Sequence, residues 1–289
     1  MRETATGAIL ADGFGYLEAG RWHDGALWFS DIGKRQIHRL TADGAHSVVA
    51  AIAARPSGLG WSADGALMVI GMEDQTLNRL AADGSIAASQ PLGDLCYHPN
   101  DMCIDAAGRA YITQFGYDLF GGAPPTPCGL LMLDAAGKAS IAGSGLVFPN
   151  GVALTPDGRT LIVAESFGYR LTAFDVAADG SLSGQRVFAE FDNSAGDAVL
   201  DGICVDAAGA VWVGMPFARE FRRVIEGGTV TDVVRPAPGA GTYCVDCALG
   251  GEDGRTLFLL VADTTIERMG NNWDSAASIQ TVTVAVPGW

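Results

Sequence analysis

The stretch Val147-Phe-Pro-Asn-Gly-Val-Ala-Leu-Thr-Pro-Asp-Gly-Arg-Thr-Leu-Ile-Val-Ala-Glu-Ser166 is the clearest copy of a phrase that recurs along this chain. It places a polar residue before a short apolar run, followed by an Asp-Gly turn and a second apolar run. Two apolar runs joined by such a turn are typical of a β-hairpin. The stretch therefore predicts two antiparallel strands with a polar side chain at the start of the first.

The turn glycine of this phrase recurs at intervals of about 40 to 50 residues, at Gly25, Gly65, Gly108, Gly158, Gly209 and Gly254. Most copies contain a second turn after a further apolar run, as at Asp43-Gly44 and Asp179-Gly180. Each repeat thus holds two hairpins, which make four strands. Repeats of this length and content are typical of propeller blades. The sequence predicts an all-β, six-bladed β-propeller with four-stranded blades, in which residues 1–289 form one domain.

A polar residue stands at a nearly constant distance before each turn glycine. Counting back seven residues from Gly25 and eight from the others gives Glu18, Ser57, Asn100, Asn150, Asp201 and Asp246. The innermost strand of a propeller blade begins at the central channel, so equivalent positions form a ring around the axis. We call these six residues the axial ring, and all six side chains carry oxygen.

Carboxylate and amide oxygens are the ligands that hard divalent cations prefer. The axial ring therefore predicts a divalent metal site at the centre of the propeller. The alternative is that Asn-Gly, Asp-Gly and Ser-Gly are only turn residues that lead into a strand. This alternative does not account for Glu18, which is followed by Ala19.

Four phrases resemble the regucalcin/gluconolactonase family, also described as SMP-30/gluconolactonase/LRE-like, over nearly the whole chain. They are Leu17-Glu-Ala-Gly-Arg-Trp22 with Leu27-Trp-Phe-Ser-Asp31, Asn100-Asp101 ahead of Asp105-Ala-Ala-Gly-Arg109, Phe148-Pro-Asn-Gly151, and Asp201-Gly202 ahead of Val211-Trp-Val213. The resemblance implies a six-bladed propeller in which Glu18, Asn150 and Asp201 bind one divalent metal. It also implies that Asn100 lies against the metal or the substrate, and that the activity is lactone hydrolysis.

The chain departs from the family pattern at three positions. His98, beside Tyr97, stands where the family's sugar-lactone hydrolases often carry an arginine, whose planar guanidinium can grip ring hydroxyls. Ala19 replaces the glycine that usually follows the metal-binding glutamate, and Asp246 replaces a small residue. We therefore expect a lactone other than a typical sugar-acid lactone, bound by Tyr97, His98 and Asn100.

The expected reaction is the opening of a cyclic ester by metal-activated water, with the metal polarising the carbonyl and stabilising the oxyanion. Asp201 is the first candidate to accept the proton of the water. Asp246 is the second, because a carboxylate bound to a cation is a weak base. His98 can orient the substrate or relay a proton, or it can be a loop histidine bonded to the backbone. Calcium is the first candidate metal, and magnesium, manganese, zinc and iron are also compatible.

Two other functions fit the same sequence. One keeps the metal and changes the reaction, for example to phosphotriester hydrolysis, because a fold does not fix the chemistry. The other is a propeller that only binds a ligand. The sequence contains no nucleophile elbow, phosphate-binding glycine loop or His-Glu-x-x-His motif.

Charge and hydropathy limit the partners. The net charge of −15 disfavours nucleic acids and anionic membrane surfaces. No apolar run approaches the length of a membrane span, and residues 1–10 lack the pattern of a signal peptide. We expect a cytoplasmic monomer or small homo-oligomer that binds a small molecule. Its six cysteines should be reduced, with Cys244 and Cys247 acting as core residues and not as zinc ligands.

Three further features concern the edges of the propeller. The terminal segments 4–10 and 278–286 alternate as strands do and are expected to pair in the closing blade. The connection 116–128 is long and rich in Gly and Pro, which suits a lid or an oligomer contact. Aromatic residues after the second strands predict a rim around the pocket or a cover over blade ends, namely Phe115, Tyr117, Phe167, Tyr169, Phe217 and Phe221.

Overall fold

The computed structural model describes residues 5–119, 121–238, 243–270 and 272–289. Within these ranges the chain forms six sheets, each built on four antiparallel strands. The innermost strands of successive sheets contact one another in a closed circle, so the sheets are the blades of the predicted six-bladed propeller. None of the helices in the described ranges has the length and apolar character needed to cross a membrane.

Two short N-terminal strands precede the first three blades: β1 (Ala5–Thr6) and β2 (Ala8–Phe14). Blade 1 consists of β3 (Leu17–His23), β4 (Ala26–Asp31), β5 (Gln36–Thr41) and β6 (His46–Ala51). Blade 2 consists of β7 (Pro56–Trp61), β8 (Leu67–Gly71), β9 (Thr76–Leu80) and β10 (Ile86–Pro91), with a 3-10 turn after it at Gly93–Leu95. Blade 3 consists of β11 (Pro99–Ile104), β12 (Ala110–Gln114), β13 (Cys128–Leu133) and β14 (Ala139–Leu146).

The other three blades follow in chain order. Blade 4 consists of β15 (Pro149–Leu154), β16 (Thr160–Glu165), β17 (Arg170–Val176) and β18 (Leu182–Glu190). Blade 5 consists of β19 (Ile203–Val205), β20 (Val211–Met215), β21 (Glu220–Val224) and β22 (Val230–Arg235). Blade 6 contains β23 (Tyr243–Gly250), β24 (Thr256–Asp263), the helix α1 (Ile266–Gly270) and β25 (Ala276–Thr283).

Strands from both ends of the chain complete blade 6. β2 pairs antiparallel with β25, so that Ala8 lies opposite Thr281 and Phe14 lies opposite Ala277. The predicted pairing of the terminal segments is confirmed for the described residues, and residues 1–4 lie outside them. A second contact was not predicted: β1 adds in parallel to blade 5, with Ala5 opposite Val234.

Apolar side chains fill the space between neighbouring blades. Cys244 and Cys247 belong to one such cluster, together with Trp212 and Phe221, and all six cysteines of the chain are free. The packing role expected for these two cysteines is therefore confirmed. Phe221 is fully buried in this cluster, which places it in the core and not in a rim around the pocket.

A β-bulge shapes the start of four innermost strands. The register shift directly follows the ring residue in blade 1 and includes it in the other three, in the intervals Glu18/Arg21, Pro56/Leu59, Pro99/Met102 and Pro149/Val152. In blade 6 the shift comes before the ring residue, in the interval Cys244/Asp246. Because a one-residue change of register turns a side chain to the other side of a strand, Asp246 is placed differently from its counterparts.

Candidate metal and substrate site

Four axial-ring residues meet at the floor of one cavity on the propeller axis. Glu18, Asn100, Asn150 and Asp201 line it together with Ser166. Each of the four ring residues is at most 9% exposed. The cavity measures about 350 Å³, a size typical of small-molecule sites. The predicted convergence of Glu18, Asn150 and Asp201 with Asn100 is therefore present in the structure.

The glycines that follow the ring residues are not turn residues. Gly58, Gly151 and Gly202 are absent from the glycines with positive φ. A β-carbon on Gly58 would lie 2.7 Å from the backbone nitrogen of Met102, and one on Gly151 would lie 2.7 Å from the carbonyl oxygen of Asp201. Glycine is therefore required because the next blade approaches closely, and the turn interpretation of these pairs does not hold.

Hydrogen bonds link the amides of the floor to one carboxylate. Asn100 Nδ2 donates to Asn150 Oδ1 at 2.9 Å, and Asn150 Nδ2 donates to Asp201 Oδ1 at 2.6 Å. Asn150 Nδ2 also lies 3.2 Å from Ser166 Oγ, which donates to the carbonyl of Leu200 at 2.7 Å. These hydrogen bonds fix the orientation of both amides, and they leave Oδ2 of Asp201 available to a ligand.

Two carboxyl groups share this buried floor. Burial raises the pKa of Glu18 well above its usual value, and repulsion from Asp201 and Asp246 raises it further. Burial also raises the pKa of Asp201, with a further contribution from Asp246 and an opposing one from the Asn150 hydrogen bond. A cation between the two carboxylates would remove this repulsion and favour their charged forms.

The donor set fits a hard divalent cation. It offers two carboxylates and two amide oxygens, which are the ligand types that calcium and magnesium accept. In the described ranges, no three His, Cys, Asp or Glu side chains converge on a common metal position. The amide oxygen of Asn150, alone or together with that of Asn100, would therefore extend a ligand set begun by Glu18 and Asp201.

Aromatic side chains form the walls above the floor. Phe115, Phe148 and Phe167 make a continuous row, with ring centroids 4.5 Å and 5.2 Å apart. Phe217 lines another side, with its ring 5.4 Å from that of Tyr243. Of the predicted rim, Phe115, Phe167 and Phe217 thus surround the cavity.

The other members of the predicted rim lie behind the wall. Tyr117 is buried in the core cluster of Phe148, and its ring lies 6.0 Å from that ring. Tyr169 packs against the apolar cluster between blades 4 and 5. For these residues, as for Phe221, the alternative of a hydrophobic cover over blade ends is the correct one.

The connection between β24 and β25 covers one side of the cavity. We call residues 264–270 and 272–275 the cap segment. Ile266, Met269 and Trp273 of this segment line the cavity, and the ring of Trp273 lies 4.9 Å from that of Tyr16. The predicted lid, the connection 116–128, contributes Leu119 to the same cavity.

An arginine in the connection between blades 1 and 2 anchors the cap segment. The guanidinium of Arg55 donates a hydrogen bond to Oδ1 of Asn272 in the cap segment. It also donates to the carbonyl oxygen of Ile32 at 3.1 Å and to Glu73 Oε1 at 2.6 Å. The two ends of the segment are tied by a hydrogen bond of 2.6 Å between the hydroxyls of Thr264 and Ser275. The cap segment is thus held against blades 1 and 2.

The family of the chain follows from a match that covers most of its length. The family model described as SMP-30/Gluconolactonase/LRE-like region matches residues 17–263. The chain belongs to this family. The matched range begins one residue before Glu18 and contains the whole axial ring.

Known relatives agree with this assignment. A 6-deoxy-6-sulfogluconolactonase of Pseudomonas putida is 25% identical over 209 residues, which are 71% of this chain and 68% of the relative. A luciferin-regenerating enzyme has a TM-score of 0.80 at 17% identity, covering 98% of this chain and 97% of its own.

Two bacterial structures are also similar. A calcium-binding regucalcin of Agrobacterium tumefaciens gives a TM-score of 0.74 at 18% identity, covering 100% of this chain and 99% of its own. A gluconolactonase of Xanthomonas campestris gives 0.73 at 22% identity, covering 95% of this chain and 89% of its own. At these identities the likeness establishes the fold alone.

Two residues of this protein that were predicted to bind substrate, Tyr97 and His98, do not line the cavity. Tyr97, which is 38% exposed, lines a separate depression with Gln114. His98 adopts a left-handed φ of 51°, and its ring lies 5.7 Å from that of Phe115. His98 is thus behind an aromatic wall residue and does not itself line the cavity.

Asp246 also lies outside the lining, below the floor. Its Oδ2 accepts a hydrogen bond from the backbone N–H of Gly20, and its Oδ1 accepts one from the N–H of Cys247, each at 2.7 Å. Burial, with repulsion from Asp101, raises the pKa of Asp246 to about 7, against the attraction of Arg21. Asp246 follows the bulge in its strand, which explains why this ring residue, predicted to be a second base, does not face the cavity.

The structure adds site residues that the repeat did not reveal. Tyr16 lines the cavity, and burial together with the charges of Asp201 and Glu18 raises the pKa of its hydroxyl well above the usual value. The hydroxyl is therefore a hydrogen-bond donor in the site. Its position two residues before Glu18 was a signal, whereas Met269 and Trp273 lie outside the repeated phrase and gave none.

Proposed function

We propose that this protein hydrolyses a lactone with the help of one divalent cation. The observation that carries the proposal is the meeting of Glu18, Asn150 and Asp201 with Asn100 at the buried end of one cavity. A cation held there would act as a Lewis acid on the carbonyl of a cyclic ester. The family, and the lactonases among the relatives, support the same reaction.

The residues of the floor have separate roles in this proposal. Glu18, Asn150 and Asp201 hold the cation, with calcium as the first candidate. Asn150 Nδ2 holds Oδ1 of Asp201, which leaves Oδ2 to accept the proton of the attacking water and to return it to the ring oxygen as the acyl C–O bond breaks. Asn100 keeps a second N–H that can donate to an oxygen of the substrate. The aromatic walls exclude bulk water, which strengthens these polar interactions.

The proposed substrate is not a typical sugar-acid lactone. Among the described residues, no Arg, Lys or His lines the cavity. A polyhydroxylated ring would press its hydroxyl groups against Phe115, Phe148 and Phe167, where they would lose their hydrogen bonds to water. The walls therefore support a lactone with fewer hydroxyl groups.

Proton release from a panel of aliphatic and sugar lactones tests the reaction. We expect a chelator to abolish release and a single ion, calcium first, to restore it. A neutral phosphotriester in the same panel tests the alternative reaction, which would use the same floor. Turnover that persists in chelator-treated protein, shown by elemental analysis to be metal-free, would contradict the metal-dependent mechanism.

A further inference from the structure

We propose that the substrate carries an apolar substituent, best an aromatic ring, that lies between the aromatic walls and the cap segment. The identity of the reacting group rests on the proposed function. The assignment of the substituent rests on the walls alone, which are built from other residues than the floor. The two can therefore be tested apart.

Polar and apolar parts of the cavity are separated. The oxygen-bearing side chains lie together at the floor, where hydrogen bonds link Asn100, Asn150 and Asp201. Above them stand apolar and aromatic side chains on every blade that reaches the cavity. A ligand that fits this division has one polar group and a larger apolar part.

Aromatic rings face the cavity from two sides. One side is the row of Phe115, Phe148 and Phe167, and the other is the pair of Tyr16 and Trp273. Rings arranged in this way bind an aromatic guest by offset or edge-on contact. Each methylene group buried in such a site is expected to increase affinity about fourfold.

The cap segment gives the cavity an apolar exit. Ile266 lines the cavity and is also 65% exposed, so an apolar side chain continues the wall to the solvent. The anchor of Arg55 on Asn272, next to Trp273, holds the opposite part of the segment in place. A substituent longer than the cavity can therefore extend along Ile266.

The experiment uses a matched series with one ring size. The lactones carry a hydrogen, a hexyl chain or a phenyl ring, and glucono-δ-lactone is the polyhydroxylated member. The corresponding cyclic ketones, which cannot be hydrolysed, measure binding without turnover. We expect the phenyl and hexyl ketones to bind at least about tenfold more tightly than the unsubstituted ketone.

Variants of the cap segment connect this preference to its residues. Trp273→Ala should lower the ratio of phenyl-ketone affinity to unsubstituted-ketone affinity at least about fivefold, whereas Trp273→Phe should keep this ratio. Trp289→Ala is the matched control, because Trp289 is exposed and lies outside this cavity. Melting curves show whether each variant is folded.

The outcomes separate the two proposals. Equal affinity for all ketones, or tighter binding of glucono-δ-lactone than of the phenyl compound, would overturn the apolar substituent. Preference for phenyl and hexyl ketones without hydrolysis of any lactone would support the apolar substituent and contradict lactone hydrolysis. Hydrolysis of all lactones at similar kcat/KM, with no preference among the ketones, would support lactone hydrolysis and contradict the apolar substituent.

Discussion

Asp246 Oδ2 accepts a hydrogen bond of 2.7 Å from the backbone N–H of Gly20, two residues after Glu18. The other oxygen of this carboxylate lies where a β-carbon on Gly202, the residue after Asp201, would clash with it. Asp246 thus connects the segments that carry the two carboxylates of the cavity floor. We infer that it positions Glu18 and Asp201 without contacting the substrate.

Asp246→Asn tests this role. An amide offers only one acceptor oxygen, so the variant loses the bond to Gly20 or to Cys247. We expect kcat to fall roughly 10- to 100-fold, as is common for groups that orient metal ligands, while the metal content measured by elemental analysis holds. Because the charge of Asp246 raises the pKa of Asp201, the acidic limb of the pH profile should move to lower pH in the variant and remain present.

The same variant also distinguishes a positioning role of Asp246 from a role as the catalytic base. If Asp246 accepts a proton in the reaction, the acidic limb of the pH profile will disappear in the variant. Asp24→Asn, in an exposed turn, is the matched control. Turnover that is unchanged in Asp246→Asn would remove this residue from the mechanism.

Glu18→Gln should have opposite effects on stability without and with a cation. In chelator at pH 8, the variant removes one of two buried charges that repel each other, so its melting temperature should rise above that of the wild type. With calcium in excess, the wild type should be the more stable protein, because the variant has lost a charged ligand. Differential scanning calorimetry measures both cases, and the same order in both would contradict a cation at Glu18.

His38 should make the protein less stable as the pH falls from about 6.5 to about 4. Its imidazole is stacked on Phe29 at 5.2 Å, and its nitrogens have no hydrogen-bond partner in the described structure. Burial, with the nearby His46 and Lys34, lowers the pKa of His38 to about 4. The unfolded chain therefore binds one more proton in this pH window, which destabilises the fold by up to about 3 kcal/mol at its lower end.

His38→Phe isolates this contribution from that of the carboxyl groups. The variant keeps an aromatic ring against Phe29 and cannot be protonated. We expect urea unfolding to give a flatter dependence of the unfolding free energy on pH between 6.5 and 4 than in the wild type. His23→Phe, at a partly exposed histidine stacked on Trp61, is the matched control for the substitution itself.

Deletion of residues 1–10 should lower the melting temperature by more than roughly 5 °C, which corresponds to about 2 kcal/mol for a chain of this size. The deletion removes the pairing of Ala8 and Ile9 with β25 and exposes the edge of blade 6. A synthetic peptide with the sequence of residues 1–14 should restore part of the loss. A melting temperature equal to that of the full chain would show that the N-terminal strand does not stabilise the propeller.

The blades and most of the floor could be predicted because their signals are local. Turn glycines such as Gly158 and Gly209 report hairpins through the chemistry of a few neighbouring residues. A constant distance from those turns was enough to find Glu18, Asn150 and Asp201. The same count placed Asp246 in the ring, but the position of its bulge depends on hydrogen bonds between strands and leaves no mark in the spacing.

Part of the wall could be predicted, because Phe115, Phe167 and Phe217 follow second strands, but the contacts between distant segments that complete it could not. Trp273, which lies outside the repeated phrase, meets Tyr16 across almost the whole length of the chain. His98 was placed in the pocket because it lies two residues from Asn100, but its ring packs against Phe115 outside the cavity lining. Phe148, by contrast, has nearly the same φ and lines the cavity. Distance along the chain does not determine the direction of a side chain in an irregular segment.

The pairing of β2 with β25 gives the propeller a defined moment of completion during synthesis. The ribosome makes β2 among the first strands, and its partner emerges only after all other blades have been translated. Until then the circle is open between β3 and β23, whose contact brings Gly20 to Asp246. A nascent chain that has not yet reached β23 therefore lacks the contact between Gly20 and Asp246 beneath the floor.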